Sequence, residues 1–374
     1  MKIGITCYPT YGGSGAVATE LGIGLAARGH EVHFISYAQP FRLSGFHERV
    51  YFHEVEIERY PLFEHNHYTL ALAATIHDTT LREGLDIVHV HYAIPHATSA
   101  WIAGEMLNGE AAPPLVTTLH GTDVTLVGTQ PSFKPITRFS ILRSQGITAV
   151  SEFLKDVTVR DFDVPADRVR VIPNFVNTDV FRPASDPRHR GIFAPAGEKI
   201  VMHISNFRPV KRVQDVIEVF ARIRQTIPAR LVMVGDGPDR PRAAQRVGEL
   251  ELERDVVFLG KHASVEELLG LADLFLLTSD SESFGLAALE AISCGVPVVG
   301  YRAGGLPEVI SHGENGLLVP VGAVDEAAEA GTFLLGDLSV WRRFSEAGRA
   351  AALERFATAT VLPGYEDFYR FLLR

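Results

Sequence analysis

Cysteine is scarce in this chain: its 374 residues include two, Cys7 and Cys294, both in apolar surroundings. Two isolated thiols exclude a disulfide framework and a cysteine zinc site, and they lead us to expect a reducing, cytoplasmic setting. Positive charge is also short. Lys and Arg number 35 against 45 Asp and Glu, for a net charge of −10, and no long basic run occurs, which argues against nucleic acid as a main partner. No low-complexity tract interrupts the sequence, and no apolar run is long enough to cross a bilayer, so no membrane insertion is expected. The opening residues, Met1-Lys2-Ile3-Gly4-Ile5-Thr6, enter a strand at once, with no visible signal peptide. What remains is the composition of a soluble globular protein, long enough for two domains of ordinary size.

The most informative stretch runs from 274 to 300. Leu274-Phe275-Leu276-Leu277 reads as a buried strand, and Val296-Pro297-Val298-Val299-Gly300 as another. Between them the spacing predicts a helix of about ten residues, N-capped by Ser283 and stopped by Gly295. The amides near Phe284, Gly285 and Leu286 are then free to donate to an anion at a helix N-terminus. Glu282 lies just before that helix and Glu290 about two turns inside it. Two glutamates at this distance are common in any surface helix. Set around Phe-Gly-Leu after a buried strand, they suit a ligand with a diol, a diphosphate and a sugar polyol.

The first half reads as alternating strands and helices. Ile3–Cys7 is a strand, Tyr8–Gly15 a glycine-rich turn, about Ala16–Ala27 a helix, and Glu31–Ser36 a strand. Gly12-Gly13-Ser14-Gly15 lacks the G-x-G-x-x-G spacing of dinucleotide sites. Its amides suit a phosphate or carboxylate across a cleft, with Gly13 and Ser14 toward a donor and Ser14 and Gly15 toward an acceptor; a plain tight turn is the competing interpretation. His89, His91 and His96 sit too close together to ignore, but no acidic residue is suitably near, and we take them as packing and cleft lining rather than zinc ligands. Tyr92 and His96, past the strand end, are placed facing the cleft. His120 ends the strand Leu115–Leu119, next to Gly121 and Thr122, and a helix is expected over Phe139–Gln145. In the second half, strand Ile200–Ser205 leads into Asn206-Phe207-Arg208-Pro209-Val210-Lys211-Arg212 and a helix over 213–225. Cations between a strand end and a helix N-terminus suit a diphosphate. Lys211 is assigned to it, with Asn206 and Arg208 beside it and Arg212 left as surface charge. Val256–Lys261 reads as a strand whose exit, at Lys261, would meet a base.

The segment from Glu282 to Glu290 resembles the glutamate–seven residues–glutamate signature of retaining family 4 glycosyltransferases. Val171-Ile172-Pro173-Asn174-Phe175 resembles their interdomain link. The resemblance covers nearly the whole chain and implies an α/β, GT-B architecture: two Rossmann-like domains with parallel sheets facing a central cleft, and a last helix crossing back. It implies an acceptor-binding domain over 1–170 plus 356–374 and a nucleotide-sugar domain over 171–355. It further implies that Glu282 and the amides of Ser283, Phe284, Gly285 and Leu286 hold the donor sugar, that Glu290 holds the ribose, and that His120 approaches the transferred sugar. Relatives carry Arg at the position of Asn206, so Arg208 is the substitute partner for Lys211. Catalysis is expected from His120, Lys211 and Glu282 without a metal or other cofactor.

Narrower motifs, among them Cys7-Tyr8-Pro9, Pro40-Phe41-Arg42-Leu43, His89–His96 and Ser205–Arg212, resemble one branch of that family. It transfers N-acetylglucosamine from UDP-N-acetylglucosamine to L-malate in bacillithiol biosynthesis. The resemblance alone supplies those two substrates. A malate dianion needs cations and amides, and the candidates are Arg138, Arg143, Ser14, Gly15, Tyr92 and Thr122; an exposed arginine without a role competes with Arg138. The same donor with a polysaccharide, lipid or inositol phosphate acceptor stays open, as does a UDP-N-acetylglucosamine epimerase. Small-molecule substrates are the expected partners, and a homo-oligomer is left open.

Overall fold

The computed structural model describes residues 1–10, 12–57, 67–107, 112–184, 189–262 and 264–374. Tyr11 of the glycine-rich turn, and 185–188 of the polar stretch between the two halves, lie outside them. The chain divides into two units, Met1–Asn174 with Val361–Arg374, and Phe175–Thr360. These boundaries fall a few residues later than 170/171 and 355/356.

The first unit is built on β1 (Lys2–Thr6), α1 (Gly13–Ala27), β2 (Glu31–Ser36), β3 (Val50–Glu54), α2 (Tyr68–Glu83), β4 (Ile87–His91), α3 (Thr98–Met106), β5 (Leu115–Leu119), α4 (Lys134–Arg143), β6 (Gly146–Ala149), α5 (Glu152–Phe162) and β7 (Val169–Val171). Its seven strands pair in parallel in the order β3-β2-β1-β4-β5-β6-β7. Helices on both faces require central strands without a polar side, and β4 and β5 are accordingly buried at every position. Only β3, at the edge, is largely exposed.

The second unit carries α6 (Arg190–Phe193), β8 (Lys199–Ile204), α7 (Val213–Arg224), β9 (Ala229–Val234), α8 (Arg240–Glu249), β10 (Val256–Gly260), α9 (Glu266–Leu269), β11 (Leu274–Leu277), α10 (Leu286–Ser293), β12 (Val298–Tyr301), α11 (Leu306–Val309), β13 (Gly316–Val319), α12 (Val324–Gly336) and α13 (Leu338–Arg355). Its six parallel strands run β10-β9-β8-β11-β12-β13. The core beneath them is apolar, with Val216, Ile217, Phe220 and Ile223 of α7 packed on Leu231, Met233, Leu274 and Leu276.

In both sheets the strand order reverses beside the unit's first strand, between β1 and β4 and between β8 and β11. Connections from those neighbours leave on opposite sides of the sheet, so a crevice opens at their carboxyl ends, where ligands of open α/β sheets bind.

The last helix, α14 (Thr358–Leu372), enters the first unit at Val361. It buries Leu362, Tyr365, Phe368 and Tyr369. One carboxylate fixes it. Arg28, just past α1, donates from Nε and Nη2 to the two oxygens of Glu366 at 3.0 and 2.9 Å, and His30 lies 2.9 Å from Oε1. The Arg28 hydrogen bonds hold the buried Glu366 carboxyl down to about 2, against the opposing effect of burial. A carboxyl depressed from its unfolded value stabilises the fold above pH ~4.5 and loses that contribution as pH falls toward 2. With Arg28 partly in solvent, Glu366→Gln should cost about 1–3 kcal/mol at pH 7. Denaturant titrations at pH 7 and pH 3 should show the gap to wild type narrowing in acid; a gap independent of pH would contradict this linkage.

Candidate active site

The second unit's crevice is lined by two loops, Ser205–Arg212 after β8 and Thr278–Gly285 after β11. They are stitched together by backbone. Asp280 N–H donates to the Val210 carbonyl at 3.0 Å, and the Thr278 hydroxyl reaches the carbonyls of Lys211 and Arg212 at 3.2 and 3.1 Å. The consequence is a side-chain contact between residues 71 apart in sequence: Lys211 Nζ donates to Glu282 Oε1 at 2.5 Å. Ser279 Oγ donates to the same oxygen at 2.7 Å. Both ends of the pair are mostly but not wholly buried, with side chains 20% and 11% exposed. A partly desolvated ion pair of this kind is held in place by its hydrogen bonds while remaining open to a third, charged group.

The helix behind Glu282 differs from its sequence-based outline. It begins at Leu286, its N-cap is Gly285 in the left-handed region (φ 97°), and no side chain caps it. Ser283 is therefore not the cap. The first intrahelical bond is Leu289 N–H to the Gly285 carbonyl, so the amides without an intrahelical acceptor include those of Ala287 and Ala288 beyond Leu286. The left-handed glycine, not the serine, was the available signal. Phe284 is in the core, its ring 5.7 Å from that of Phe356. Glu290 is the fifth helical residue, little more than one turn in, and is buried. It contributes, after burial itself, to pushing the Cys294 thiol up to about 12.

Arg208 and Asn206 are exposed in the same loop as Lys211, and Lys261 is exposed after β10; none has a side-chain contact to the Lys211–Glu282 pair among the described residues. Arg212 is not simple surface charge: it donates to Asp215 at 2.8 Å, and the Tyr301 hydroxyl donates to the same carboxylate at 2.7 Å. Gly304 closes the site from the β12 side. Its neighbour Gly305 donates to the Glu282 carbonyl at 2.8 Å, and a Cβ on Gly304 would lie 2.0 Å from that carbonyl oxygen.

In the first unit, α1 starts at Gly13, three residues earlier than expected, so Gly13, Ser14 and Gly15 form its first turn rather than a free loop. Their amides have no carbonyl one turn earlier within the helix to bond. Ser14 Oγ donates to the Tyr92 hydroxyl at 2.9 Å, joining the connections after β1 and β4. Tyr92 itself has a left-handed backbone (φ 92°), an unfavourable state for a large residue that the surrounding structure must impose. Its ring is 5.6 Å from that of His120.

Beneath them the histidines form a stack. His89 and His91 rings lie 4.6 Å apart, His91 and His120 5.0 Å apart. His91 Nδ1 and His120 Nε2 share a hydrogen bond at 2.7 Å, and buried His91 Nε2 has no hydrogen-bond partner among the described residues. Tyr369 of α14 and Thr118 hold His89 at 2.6 and 2.7 Å. Burial and mutual repulsion push His89 and His120 down to about 3 and His91 well below the ordinary imidazole value. The stack is neutral at physiological pH. His120 can exchange hydrogen bonds with a ligand but brings no positive charge. His96 does not face the cleft: it is fully buried, bonded to the His91 carbonyl and near the Tyr68 hydroxyl.

Asp123, which the sequence did not single out, organises this corner. Its buried carboxylate accepts the amides of Ala93, Gly121 and His120 at 3.0, 2.9 and 3.3 Å. Burial raises it to about 6 in spite of those bonds. Thr122 is partly exposed beside it. Arg138 and Arg143 lie on α4, which runs Lys134–Arg143 rather than 139–145. Both are exposed. Arg138 Nε is 3.9 Å from Asp163, a loose surface pairing, whereas the Arg143 guanidinium lies over Phe139 and near Trp101.

Two family models match: one for glycosyl transferases group 1 over residues 186–351, the other for Glycosyltransferase Family 4 over 11–180. The solved structure of Anabaena HepE in complex with UDP-glucose is 22% identical. It superposes with a TM-score of 0.81 and covers 99% of this chain and 100% of its own. That likeness shows the fold, that of a GT-B glycosyltransferase. Among curated proteins, N-acetyl-alpha-D-glucosaminyl L-malate synthase of Bacillus anthracis is 46% identical over 100% of this chain and 98% of its own length. The 2-deoxystreptamine N-acetyl-D-glucosaminyltransferase of Streptomyces fradiae is 29% identical over 76% of this chain and 70% of its own. The chain belongs to the glycosyltransferase family of the Bacillus anthracis synthase.

Two substitutions test the second-unit site. Lys211→Ala should lower turnover at least tenfold, about 1.4 kcal/mol of transition-state stabilisation; an unchanged rate would remove Lys211 from the site. Gly304→Ala must push back the Glu282 backbone, so sugar transfer should fall at least tenfold while circular dichroism stays native. Full activity in that variant would show that the Glu282 position is not critical.

Proposed function

We propose that the protein is a retaining glycosyltransferase of the cytoplasm. It moves N-acetylglucosamine from UDP-N-acetylglucosamine to the hydroxyl of L-malate, giving N-acetylglucosaminyl-malate and UDP in the first step of bacillithiol biosynthesis. The observation that carries this reading is the Lys211–Glu282 contact at the strand-order reversal of the second sheet. It occurs in a chain 46% identical throughout its length to a protein of that name.

The second unit takes the donor. Lys211, with Arg208 within reach on the same loop, neutralises the diphosphate, and the N-terminal amides of α10 face its oxygens. Glu282 accepts sugar hydroxyls and Glu290 the ribose diol; Lys261 lies at the strand exit toward the base. The malate hydroxyl attacks the anomeric carbon on the face that UDP leaves. The carbon–oxygen bond to the diphosphate breaks, the bond to malate forms, and the hydroxyl proton passes to the departing phosphate oxygen, so configuration is retained. Glu282 already accepts bonds from Lys211 and Ser279 at one oxygen, which suits a sugar-holding role better than that of a covalent nucleophile. In the first unit, Ser14, Gly15, Tyr92 and Thr122 receive malate, Arg138 pairs with a carboxylate, and His120 bonds the sugar as a neutral imidazole. The cationic work falls to side chains, and no metal is required.

UDP release from UDP-N-acetylglucosamine, measured with and without L-malate and with and without a chelator, tests the reading. Release should depend on malate and be insensitive to chelation. Release without malate dependence would sink the acceptor assignment, and abolition by the chelator would overturn the metal-free mechanism.

A further inference from the structure

His203, fully buried in β8, sits directly before the loop that carries Lys211. It makes two hydrogen bonds whose directions are determined. Nδ1 lies 2.9 Å from the Leu276 carbonyl in β11, and a carbonyl can only accept, so Nδ1 carries the proton. Burial keeps the imidazole neutral, pushed down to about 4. Nε2 is therefore a bare acceptor, and the Ser205 hydroxyl, 2.8 Å away, must be its donor. That leaves a lone pair on Ser205 Oγ, which accepts the amide of Phe207 at 3.3 Å. The relay thus runs from the Phe207 amide through Ser205 and His203 to β11, the strand that leads to Glu282.

The loop it holds is strained. Phe207 and Arg212 both have left-handed backbones, φ 38° and 46°, an unfavourable state for a residue with a side chain. Phe207 is anchored further by its buried ring and by Asp239, whose amide donates to its carbonyl at 2.9 Å. From the other side the turn after β9 presses on the loop. Cβ atoms on Gly235 and Gly237 would lie 1.8 and 2.0 Å from the carbonyl oxygens of Ser205 and Asn206. Arg208 and Lys211 hang between the two strained residues.

We propose that Ser205 and His203 are positioning residues for the diphosphate-binding loop: without touching the ligand, they hold its left-handed conformation and so deliver Lys211 to Glu282. This rests on the proposed role of Lys211. A structural role elsewhere in the unit would be indifferent to Lys211, which gives the test its discrimination.

UDP affinity by calorimetry, together with turnover, is measured for wild type, Ser205→Ala, Lys211→Ala and the double variant. Ser205→Ala should weaken UDP binding and slow turnover at least tenfold alone, but less than threefold when Lys211 is already Ala. Ser205→Thr, which keeps the hydroxyl, should recover most of the loss, and His203→Phe should reproduce it. Equal losses in both backgrounds, or no loss in Ser205→Ala, would overturn the proposal. Because UDP affinity does not involve the acceptor, a protein that binds UDP but ignores malate refutes the malate reading while leaving this one to the cycle. A wild-type protein that binds no UDP refutes both.

Discussion

The contact between Lys211 and Glu282 is the constraint on which the chemistry proposed for the second unit depends. Neither residue is placed by its own neighbourhood in sequence. Lys211 arrives at the end of a loop after β8, and Glu282 at the end of a loop after β11. They meet because those two strands are adjacent in the sheet while their connections depart on opposite sides. The parallel sheet makes the crevice, and the Asp280 amide, Thr278 and Ser279 set its width to one hydrogen bond. The first unit repeats the device with uncharged groups: Ser14 after β1 bonds Tyr92 after β4. One sheet therefore presents an ion pair at its reversal, the other a pair of hydroxyls.

That difference extends to the surroundings. The first unit's site is backed by imidazoles that burial keeps neutral, and by Asp123, whose charge is spent on three amides. Asp123 and Glu366 show how environment decides the sign of a carboxylate's contribution. Glu366 meets Arg28 and His30 and is stabilised as an anion. Asp123 meets only amides in a dry setting, so its ionisation costs stability that builds as pH rises from its unfolded value to about 6 and persists above that. Such a carboxylate is tolerated because removing it would orphan three N–H groups in the connections that shape the site.

Much of this was legible in the sequence. Buried parallel strands are written as runs such as Leu274–Leu277 and Leu115–Leu119, and their bounds match the structure to within a residue or so. Helix starts were less legible, for a physical reason. Sequence places Gly13 in a loop and Gly285 inside a helix capped by Ser283, whereas Gly13 opens α1 and Gly285 is the left-handed N-cap of α10; glycine adapts to either side of a helix boundary. Ser283 looked like a cap because serine commonly is one; the left-handed turn at Gly285 removed it from that position. His203, Ser205 and Asp123 were invisible because each acts through partners 2 to 73 residues away that a linear pattern does not align. His96 was misplaced for a simpler reason: a residue past a strand end is as free to turn inward as outward, and Tyr68 and the His91 carbonyl gave it an inward partner.

The two left-handed residues in the Lys211 loop show how these levels connect. A relaxed loop of this length would have no reason to hold an ammonium within 2.5 Å of a carboxylate, since both ions are better solvated apart unless further bonds secure them. Here the unfavourable backbone is compensated from below by the Phe207 ring in the core and from the side by Gly235 and Gly237, whose missing side chains admit the approach. The packing energy of the unit is thereby converted into a fixed position for one charge. In the proposed mechanism a leaving diphosphate would then meet a cation already in position, which is the condition under which electrostatic stabilisation acts on the transition state rather than on binding alone.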